Sequence, residues 1–126
     1  MKAKFRVWEH DVKYMNDQVR ITYNPFGSNK IFVEATECFG WKEVDEKYLM
    51  QSTGLTDENT EEVFQDDIIY DDHYDEYGIV KFYEGRFVIE WQENHVEDLF
   101  ERIDLLEVVG NIHENPGLLE RDDKCM

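Results

Sequence analysis

The clearest structural signal in the chain reads Gly78-Ile79-Val80-Lys81-Phe82-Tyr83, then Glu84-Gly85, then Arg86-Phe87-Val88-Ile89-Glu90-Trp91. Runs of β-branched and aromatic residues on both sides of a two-residue turn predict an antiparallel hairpin. The hairpin predicts a mainly β fold, and the weaker signals on either side are interpreted within it.

Further strand signals lie on both sides of this hairpin. Residues 4–8 and 18–23 alternate charged or polar with apolar residues, which is the period of a half-buried strand. A turn cluster over 24–29 precedes an apolar run over 30–35, so residues 18–35 are predicted to form a second hairpin. Residues 67–70 are a short apolar strand candidate. Short strands of this kind favour a sheet that curls into a small barrel.

Helical signals are weaker. Residues 45–50 predict one or two turns before Gly54. Residues 95–106 place apolar side chains near i, i+3, i+4 and i+7, which predicts a short helix. A loop followed by a strand over 105–109 is an equally open interpretation. The segment from Asn115 to Leu119 predicts a turn whose two leucines fold back onto the body of the protein.

The length of 126 residues fits a single domain, residues 1–126, and 8 Phe, 7 Tyr and 3 Trp argue against disorder. No stretch has the length and apolar character of a signal peptide or a membrane span. Cys38 and Cys125 are isolated, which is typical of a reducing compartment. These features predict a cytosolic protein.

The formal charge of −17 is confined to one part of the chain. Residues 1–47 hold eight basic and eight acidic residues, whereas residues 48–126 hold five basic and 22 acidic residues. A net charge of this size argues against direct binding to nucleic acid or to an anionic membrane, because both repel a polyanion.

The densest acidic stretch lies between Lys47 and Lys81, where the chain has no other Lys or Arg. Interleaved apolar and aromatic residues predict that part of it is folded, so its charges are already oriented for a partner. A solvated surface that only keeps the protein soluble is the alternative interpretation. The predicted partner-binding carboxylates are Asp57, Glu58, Glu61, Glu62, Asp66, Asp71, Asp72, Asp75 and Glu76.

Motifs of catalysis are not found in the sequence. It has no nucleophile elbow, P-loop, dinucleotide-binding glycine pattern or paired-histidine zinc motif. His73 lies among acidic residues, but Glu76 stands where a calcium loop needs glycine and Phe82 where it needs glutamate. Trp8, Trp41 and Trp91 are predicted to pack in the core. We therefore expect a protein that is not an enzyme and has no catalytic residues, metal or cofactor.

Three stretches resemble the YopX-like proteins of phages and prophages. They are Phe5-Arg6-Val7-Trp8, Leu49-Met50-Gln51-Ser52-Thr53-Gly54-Leu55-Thr56-Asp57 and Val109-Gly110-Asn111-Ile112-His113-Glu114-Asn115-Pro116-Gly117-Leu118-Leu119. The resemblance implies a YopX-like fold with a small SH3-like barrel, roughly residues 62–112, and short hairpins. It also implies a phage or prophage gene expressed in the cytoplasm of a bacterial host. It implies no established activity and no catalytic residue.

The chain departs from that family at several positions. Two lysines expected from relatives are Glu58 and Glu61, and two expected glycines are Thr60 and Asp66. Ser52 stands where relatives often have an aromatic residue. Part of the acidity is therefore specific to this chain, and the loop geometry between 57 and 67 is in question because Thr and Asp adopt positive φ less readily than Gly.

Two functional hypotheses follow. The first is a non-enzymatic protein that acts through protein–protein contacts or through self-assembly into a homo-oligomer. The second is an acidic mimic of nucleic acid that blocks a basic DNA- or RNA-binding protein of the host or phage. A metal-dependent enzyme has little support from the residues.

Overall fold

The computed structural model describes residues 4–17, 19, 21–23, 30–34 and 41–119, which form two compact units. The first unit spans Met1–Gln51 and the second spans Ser52–Met126. Each unit is built from antiparallel strands, so the mainly β class predicted from the sequence is confirmed. Cys38 and Cys125 lie outside the described residues.

The first unit contains two groups of paired strands. Strands β1 (Phe5–Glu9) and β2 (Tyr14–Asn16) pair with each other, and β1 also pairs with the start of β6, residues 49–51. Strands β3 (Ile21–Tyr23), β4 (Lys30–Glu34) and β5 (Trp41–Asp45) form an antiparallel sheet in that order. A 3-10 turn at Glu46–Tyr48 leads into β6 (Leu49–Thr56). The predicted strand near the N-terminus and the short turn over 45–50 are present, and β3 pairs with β4 as the second hairpin requires. The turn predicted over 24–29 lies outside the described residues.

Among the described residues of the first unit, a hydrophobic cluster forms around Val7 and Val44. Both are buried, and Val19, Tyr48 and Leu49 pack against them. Trp8 is 6% exposed, as expected for a core aromatic residue.

The second unit contains a five-stranded sheet in the order β11, β10, β9, β8, β12, which curls into a half-barrel. Its strands are β8 (Asp67–Asp71), β9 (Glu76–Tyr83), β10 (Arg86–Trp91), β11 (Val96–Asp98) and β12 (Glu107–Asn111). Strand β7 (Glu62–Phe64) pairs with the second half of β6. Strands β7 to β12 extend from Glu62 to Asn111, and the bounds predicted for the barrel are roughly residues 62–112.

The hairpin predicted over residues 78–91 is formed by β9 and β10. Tyr83 pairs with Arg86 beside the turn, and the register continues to Gly78 opposite Trp91. The turn residues Glu84 and Gly85 have φ of 50° and 83°, which gives the twist that the strands need. At Gly78, a Cβ would lie 2.5 Å from Cγ2 of Ile89. This position therefore requires glycine for the close approach of the two strands.

The core of the second unit is centred on the five-stranded sheet. Val80 and Ile89 face each other across the central hairpin, and Val63, Ile69 and Trp91 join them. Leu99, Ile103 and Leu106 cover the group from the segment after β11. Burying each such side chain contributes about 1.5–3 kcal/mol to the stability of the fold.

Each of the two interpretations left open for residues 95–109 is partly correct, since a short helix, α1 (Leu99–Arg102), is followed by the strand β12 at Glu107–Asn111. Neither interpretation predicts the strand Val96–Asp98, which pairs with β10, and α1 forms one turn before a 3-10 turn at Ile103–Leu105. The Asp98 carboxylate accepts a hydrogen bond from the Phe100 N–H at 3.0 Å and so begins the helix. Pairing with β10 removes the first residues from the helix, which is why it is shorter than the apolar spacing predicts.

The tail folds back as predicted. The Gln92 side-chain amide donates to the carbonyl of Leu119 at 2.7 Å, which brings the segment after Asn115 to the end of β10. Within the described part of the chain, no helix has the length and apolar character needed to cross a membrane.

Candidate protein-binding surface

The nine predicted partner-binding carboxylates fall into three groups by exposure. Asp57, Asp66 and Asp71 are buried, and Glu62 and Glu76 are half-buried. The four that are exposed are Glu58, Glu61, Asp72 and Asp75. A partner can contact the exposed group directly, whereas the buried residues have roles within the fold.

Asp57 fastens the loop between β6 and β7. One carboxylate oxygen accepts hydrogen bonds from the backbone N–H groups of Asn59 at 2.9 Å and Glu61 at 2.8 Å. The other accepts from the N–H of Val108 at 2.8 Å, and the N–H of Glu58 donates to the carbonyl of Leu106 at 3.0 Å. These bonds hold the loop against the start of β12.

Asp66 has a similar structural role at the start of β8. Its carboxylate contacts the Lys81 ammonium at 3.1 Å, and its backbone bonds to Val80 and Ile112. The φ of Asp66 is 71° and that of Thr60 is 62°, so both positions, where the family resemblance predicts glycine, adopt the left-handed conformation. This chain therefore places in that conformation two residues that adopt it less readily than glycine.

Asp71 belongs to a polar cluster centred on Arg102. The guanidinium donates to both carboxylate oxygens of Glu97 at 2.8 Å and to Asp71 at 3.0 Å, and the Trp91 indole N–H also donates to Glu97 at 2.7 Å. Burial alone would lower the pKa of Arg102, but the hydrogen bonds and charges of Glu97 and Asp71 outweigh it and raise that pKa above its ordinary value. The cluster joins α1 to β8 and β11, and its charges are paired with one another.

Glu76 faces His95 beside this cluster. Oε1 of Glu76 is buried and accepts no hydrogen bond, and it lies 3.9 Å from Nδ1 of His95. The His95 ring stacks on Trp91 with 6.1 Å between ring centroids. A carboxylate and an imidazole can act together in acid–base chemistry, but 3.9 Å is longer than a hydrogen bond. The contact is therefore electrostatic.

Glu62, the other half-buried carboxylate, accepts a hydrogen bond from the Ser52 hydroxyl at 2.6 Å. This bond connects β7 to β6, next to the registered pair Ser52 and Phe64. The family resemblance predicts an aromatic residue at position 52, and an aromatic hydrocarbon ring could not donate the hydrogen bond that the Ser52 hydroxyl gives to Glu62.

The four exposed carboxylates lie at one end of the curled sheet. Asp72 and Asp75 follow the end of β8, where Tyr70 pairs with Glu107 at the start of β12. The loop that carries Glu58 and Glu61 is bonded to Leu106 and Val108 at that same start of β12. We call these four residues, Glu58, Glu61, Asp72 and Asp75, the acidic end.

Exposed apolar side chains accompany the acidic end. Tyr74 is 68% exposed between Asp72 and Asp75, and Phe100 and Leu105 are 73% and 67% exposed on the segment over 99–105. Arg102 bonds to Asp71 from that segment, which places it at the same end of the sheet. Large exposed side chains within a charged rim are typical of protein interfaces. The sequence placed Phe100 in an apolar helix face and gave no sign of its exposure.

His73 contacts an aromatic neighbour rather than a set of carboxylates. Its ring meets Tyr74 edge-on with 4.5 Å between centroids, while its backbone N–H donates to Asp71. Among the described residues, no group of three or more His, Cys, Asp or Glu side chains is arranged to hold a metal ion.

The segment after β12 has a structural explanation for its unusual composition. The Asn111 side chain accepts hydrogen bonds from the N–H groups of His113 at 3.0 Å and Glu114 at 2.9 Å. A Cβ at position 110 would lie 2.5 Å from the Asn115 side chain, so the close contact requires Gly110. These residues build a turn, which accounts for the third stretch of resemblance.

Comparisons with known proteins agree with this fold. The family model described as YopX protein matches residues 4–120. The crystal structure of protein EF1440 from Enterococcus faecalis is similar with a TM-score of 0.64 and 27% identity, covering 94% of this chain and 99% of that one. The crystal structure of protein yopX from Bacillus subtilis has a TM-score of 0.64 and 18% identity, covering 94% of this chain and 98% of that one. No curated protein matches the chain.

Proposed function

Because the chain belongs to the YopX family, we propose that it is a non-enzymatic, phage- or prophage-encoded protein that binds a basic protein partner through the acidic end. The partner is expected in the cytoplasm of the bacterial host. The observation that supports this proposal most directly is the position of Glu58, Glu61, Asp72 and Asp75, which are exposed on ordered elements at one end of the sheet.

The buried carboxylates contribute to this function indirectly. Asp57 holds the loop of Glu58 and Glu61, and Asp71 accepts the N–H of His73 and so shapes the turn that carries Asp72 and Asp75. Since the exposed charges are held in place before binding, little conformational entropy is lost when a partner docks. Tyr74, Phe100 and Leu105 would supply the apolar contacts, and the carboxylates would select a basic surface.

The test compares two variants with the same change in charge. The first neutralises the acidic end with Glu58→Gln, Glu61→Gln, Asp72→Asn and Asp75→Asn. The control carries Asp17→Asn, Glu46→Gln, Glu84→Gln and Glu90→Gln, which are exposed carboxylates elsewhere. Each protein is used to capture partners from lysate of a bacterial host, and the captured proteins are identified and then titrated individually.

We expect the wild type and the control to capture the same basic protein and the acidic-end variant to lose it. Raising the salt toward ~0.5 M should release it, because exposed charge pairs are screened. Equal capture by all three proteins, or binding that salt does not weaken, would contradict the proposal.

An acidic mimic of nucleic acid is a narrower form of the same function. The concentration of charge supports it, since all of the net −17 belongs to residues 48–126. In that case duplex DNA or RNA should compete with this protein for the captured partner. If the partner binds this protein and nucleic acid at the same time, the mimic hypothesis is excluded. The proposal that the acidic end binds a basic protein would not be affected by that result.

Self-assembly is the other form of protein contact that the sequence suggests. The outer strands of the five-stranded sheet are β11 and β12. Strand β11 has three residues, and in β12 the Val108 N–H bonds to Asp57, so both strands present only short edges for pairing with a second chain. Light scattering at micromolar concentration measures this directly. The mass of a single chain would contradict self-assembly.

A further inference from the structure

The first unit contains an open cleft that is independent of the acidic end. It lies between residues 8–11, at the end of β1 and in the following turn, and residues 43–48, at the end of β5 and in the 3-10 turn. Its volume is about 360 Å³. That size is at the lower end of the range for pockets that hold small molecules or single side chains.

One wall of the cleft is aromatic. The rings of His10 and Tyr48 are stacked with 5.4 Å between their centroids and 8° between their planes. Trp8 and Val44 are buried members of the lining, with 6% and 8% exposure. The cleft therefore combines a flat π surface with an apolar base, on which the stem of an amphipathic side chain can pack.

The other lining residues are mostly acidic, although the first 47 residues are neutral overall. The lining includes four carboxylates and one ammonium. Two of the carboxylates already accept hydrogen bonds: the Asn16 amide donates to Glu9 at 2.9 Å, and the Lys47 N–H donates to Asp45 at 3.1 Å. The four carboxylates belong to Glu9, Asp11, Glu43 and Asp45.

Lys47 indicates what the aromatic wall accepts. Its ammonium lies over the Tyr48 ring, 5.1 Å from the ring centroid, which is the geometry of a cation–π contact. Lys47 is an exposed residue at the mouth of the cleft. A cation of this same chain thus occupies the ring face, held by a flexible side chain that can move aside.

We propose that this cleft binds an arginine or lysine side chain of a basic protein, which replaces the Lys47 ammonium on the Tyr48 ring. The aliphatic stem of the incoming residue packs against the aromatic wall, and its charged end meets the surrounding carboxylates. Charge complementarity selects this occupant, because a neutral side chain gains the packing but neither the cation–π contact nor the ionic attraction.

The test uses N-acetyl-arginine amide as the probe and N-acetyl-citrulline amide as its control. Citrulline has nearly the same shape as arginine but no charge, so it separates packing from charge recognition. Binding is followed by NMR through the indole signal of Trp8 and the ring signals of His10, both of which line the cleft. We expect saturable shifts with the arginine probe and none with the citrulline probe.

Two variants test the role of the lining. Lys47→Met removes the competing ammonium and should tighten binding of the arginine probe about two- to fivefold, as expected for an exposed cation–π contact. Glu43→Gln lowers the negative charge and should weaken binding by a similar factor. A purely structural role of Lys47 would not lead to tighter binding.

Matched variants exclude general charge effects. Lys4→Met makes the same charge change as Lys47→Met outside the cleft, and Glu90→Gln matches Glu43→Gln in the second unit. Both should bind the arginine probe as the wild type does. Equal shifts with the citrulline probe, or unchanged or weaker binding by Lys47→Met, would overturn the proposal. The acidic-end variant leaves the cleft unchanged, so failure of one site is distinguishable from failure of the other.

Discussion

At the scale of single residues, Thr60 has a backbone conformation that its side chain disfavours. Its φ is 62°, and a β-branched residue in the left-handed region is a steric outlier. The conformation persists because the Asp57 carboxylate and carbonyl hold the loop on both sides of it. This strain comes from the sequence of the chain, since glycine would adopt the same φ without cost.

Replacing Thr60 with glycine should therefore stabilise the protein. We expect Thr60→Gly to raise the free energy of unfolding by about 1 kcal/mol, since relief of strain exceeds the added entropy of the unfolded chain. Thr56→Gly is the control, because Thr56 lies in β6 and glycine weakens a strand. Urea denaturation measures both variants. A Thr60→Gly protein less stable than the wild type would be evidence against the strain.

Asp57 is the carboxylate on which the same loop most depends. Asp57→Ala removes the buried carboxylate that accepts from the N–H groups of Asn59, Glu61 and Val108, so three bonds that hold the loop are lost at once. We expect it to lower the free energy of unfolding by about 2–4 kcal/mol. The neighbouring Glu58→Ala, at an exposed position, should stay close to the wild type in the same urea titration. Similar losses for both variants would contradict this role.

At the scale of elements, the hairpin of β9 and β10 was predictable because both of its signals are local. The strand pattern and the turn lie within fourteen consecutive residues, 78–91, and the pairing joins neighbours in sequence. The segment over 95–106 was only partly predictable. Val96 to Asp98 joins β10 through a pairing that the helical spacing does not reveal, and Asp98 then caps a single helical turn.

The candidate site was also only partly predictable. The sequence shows where the acidic stretch lies, but which of its carboxylates are buried depends on partners that are distant in the sequence. Asp57 bonds to Val108, Asp71 bonds to Arg102, and Asp66 contacts Lys81. Aspartate followed by turn residues is a local signal for side-chain to backbone bonds, and it could have marked Asp57 and Asp71 as structural.

The turn of the central hairpin offers a test at this scale. Glu84 has a φ of 50° and precedes Gly85 at 83°, so both turn residues are left-handed. Asparagine adopts this conformation more readily than glutamate, and Asn-Gly is the favoured pair for such turns. We expect Glu84→Asn to raise the free energy of unfolding by about 0.5–1 kcal/mol in thermal or urea denaturation. Glu90→Asn, within β10, should lower it.

At the scale of the whole molecule, the division of charge nearly coincides with the division into compact units. The neutral part ends at residue 47 and the first unit ends at Gln51, so the second unit carries the whole excess of −17. The acidic end lies on this second unit. The cleft of the first unit is lined by four carboxylates and one ammonium, although that unit is neutral overall. The two binding proposals therefore concern different units of the chain.

The excess charge should also oppose folding of the second unit. Its 22 carboxylates face five basic residues, and compaction brings like charges closer than in the unfolded chain. Added sodium chloride should then stabilise the protein, because the screening length falls from about 10 Å at 0.1 M to about 3 Å at 1 M. We expect a gain on the order of 1 kcal/mol in the free energy of unfolding, measured by urea titration at both salt concentrations.

The acidic-end variant provides the internal comparison for this effect. Neutralising Glu58, Glu61, Asp72 and Asp75 removes four of the exposed charges, so both the self-repulsion and the gain from salt should become smaller. The ion pair of Arg102 with Asp71 has a side-chain exposure of 27% and 5%, and salt should weaken it little because partly buried pairs are poorly screened. A wild-type protein that salt destabilises would mean that attractive pairs such as this one outweigh the repulsion among the 22 carboxylates.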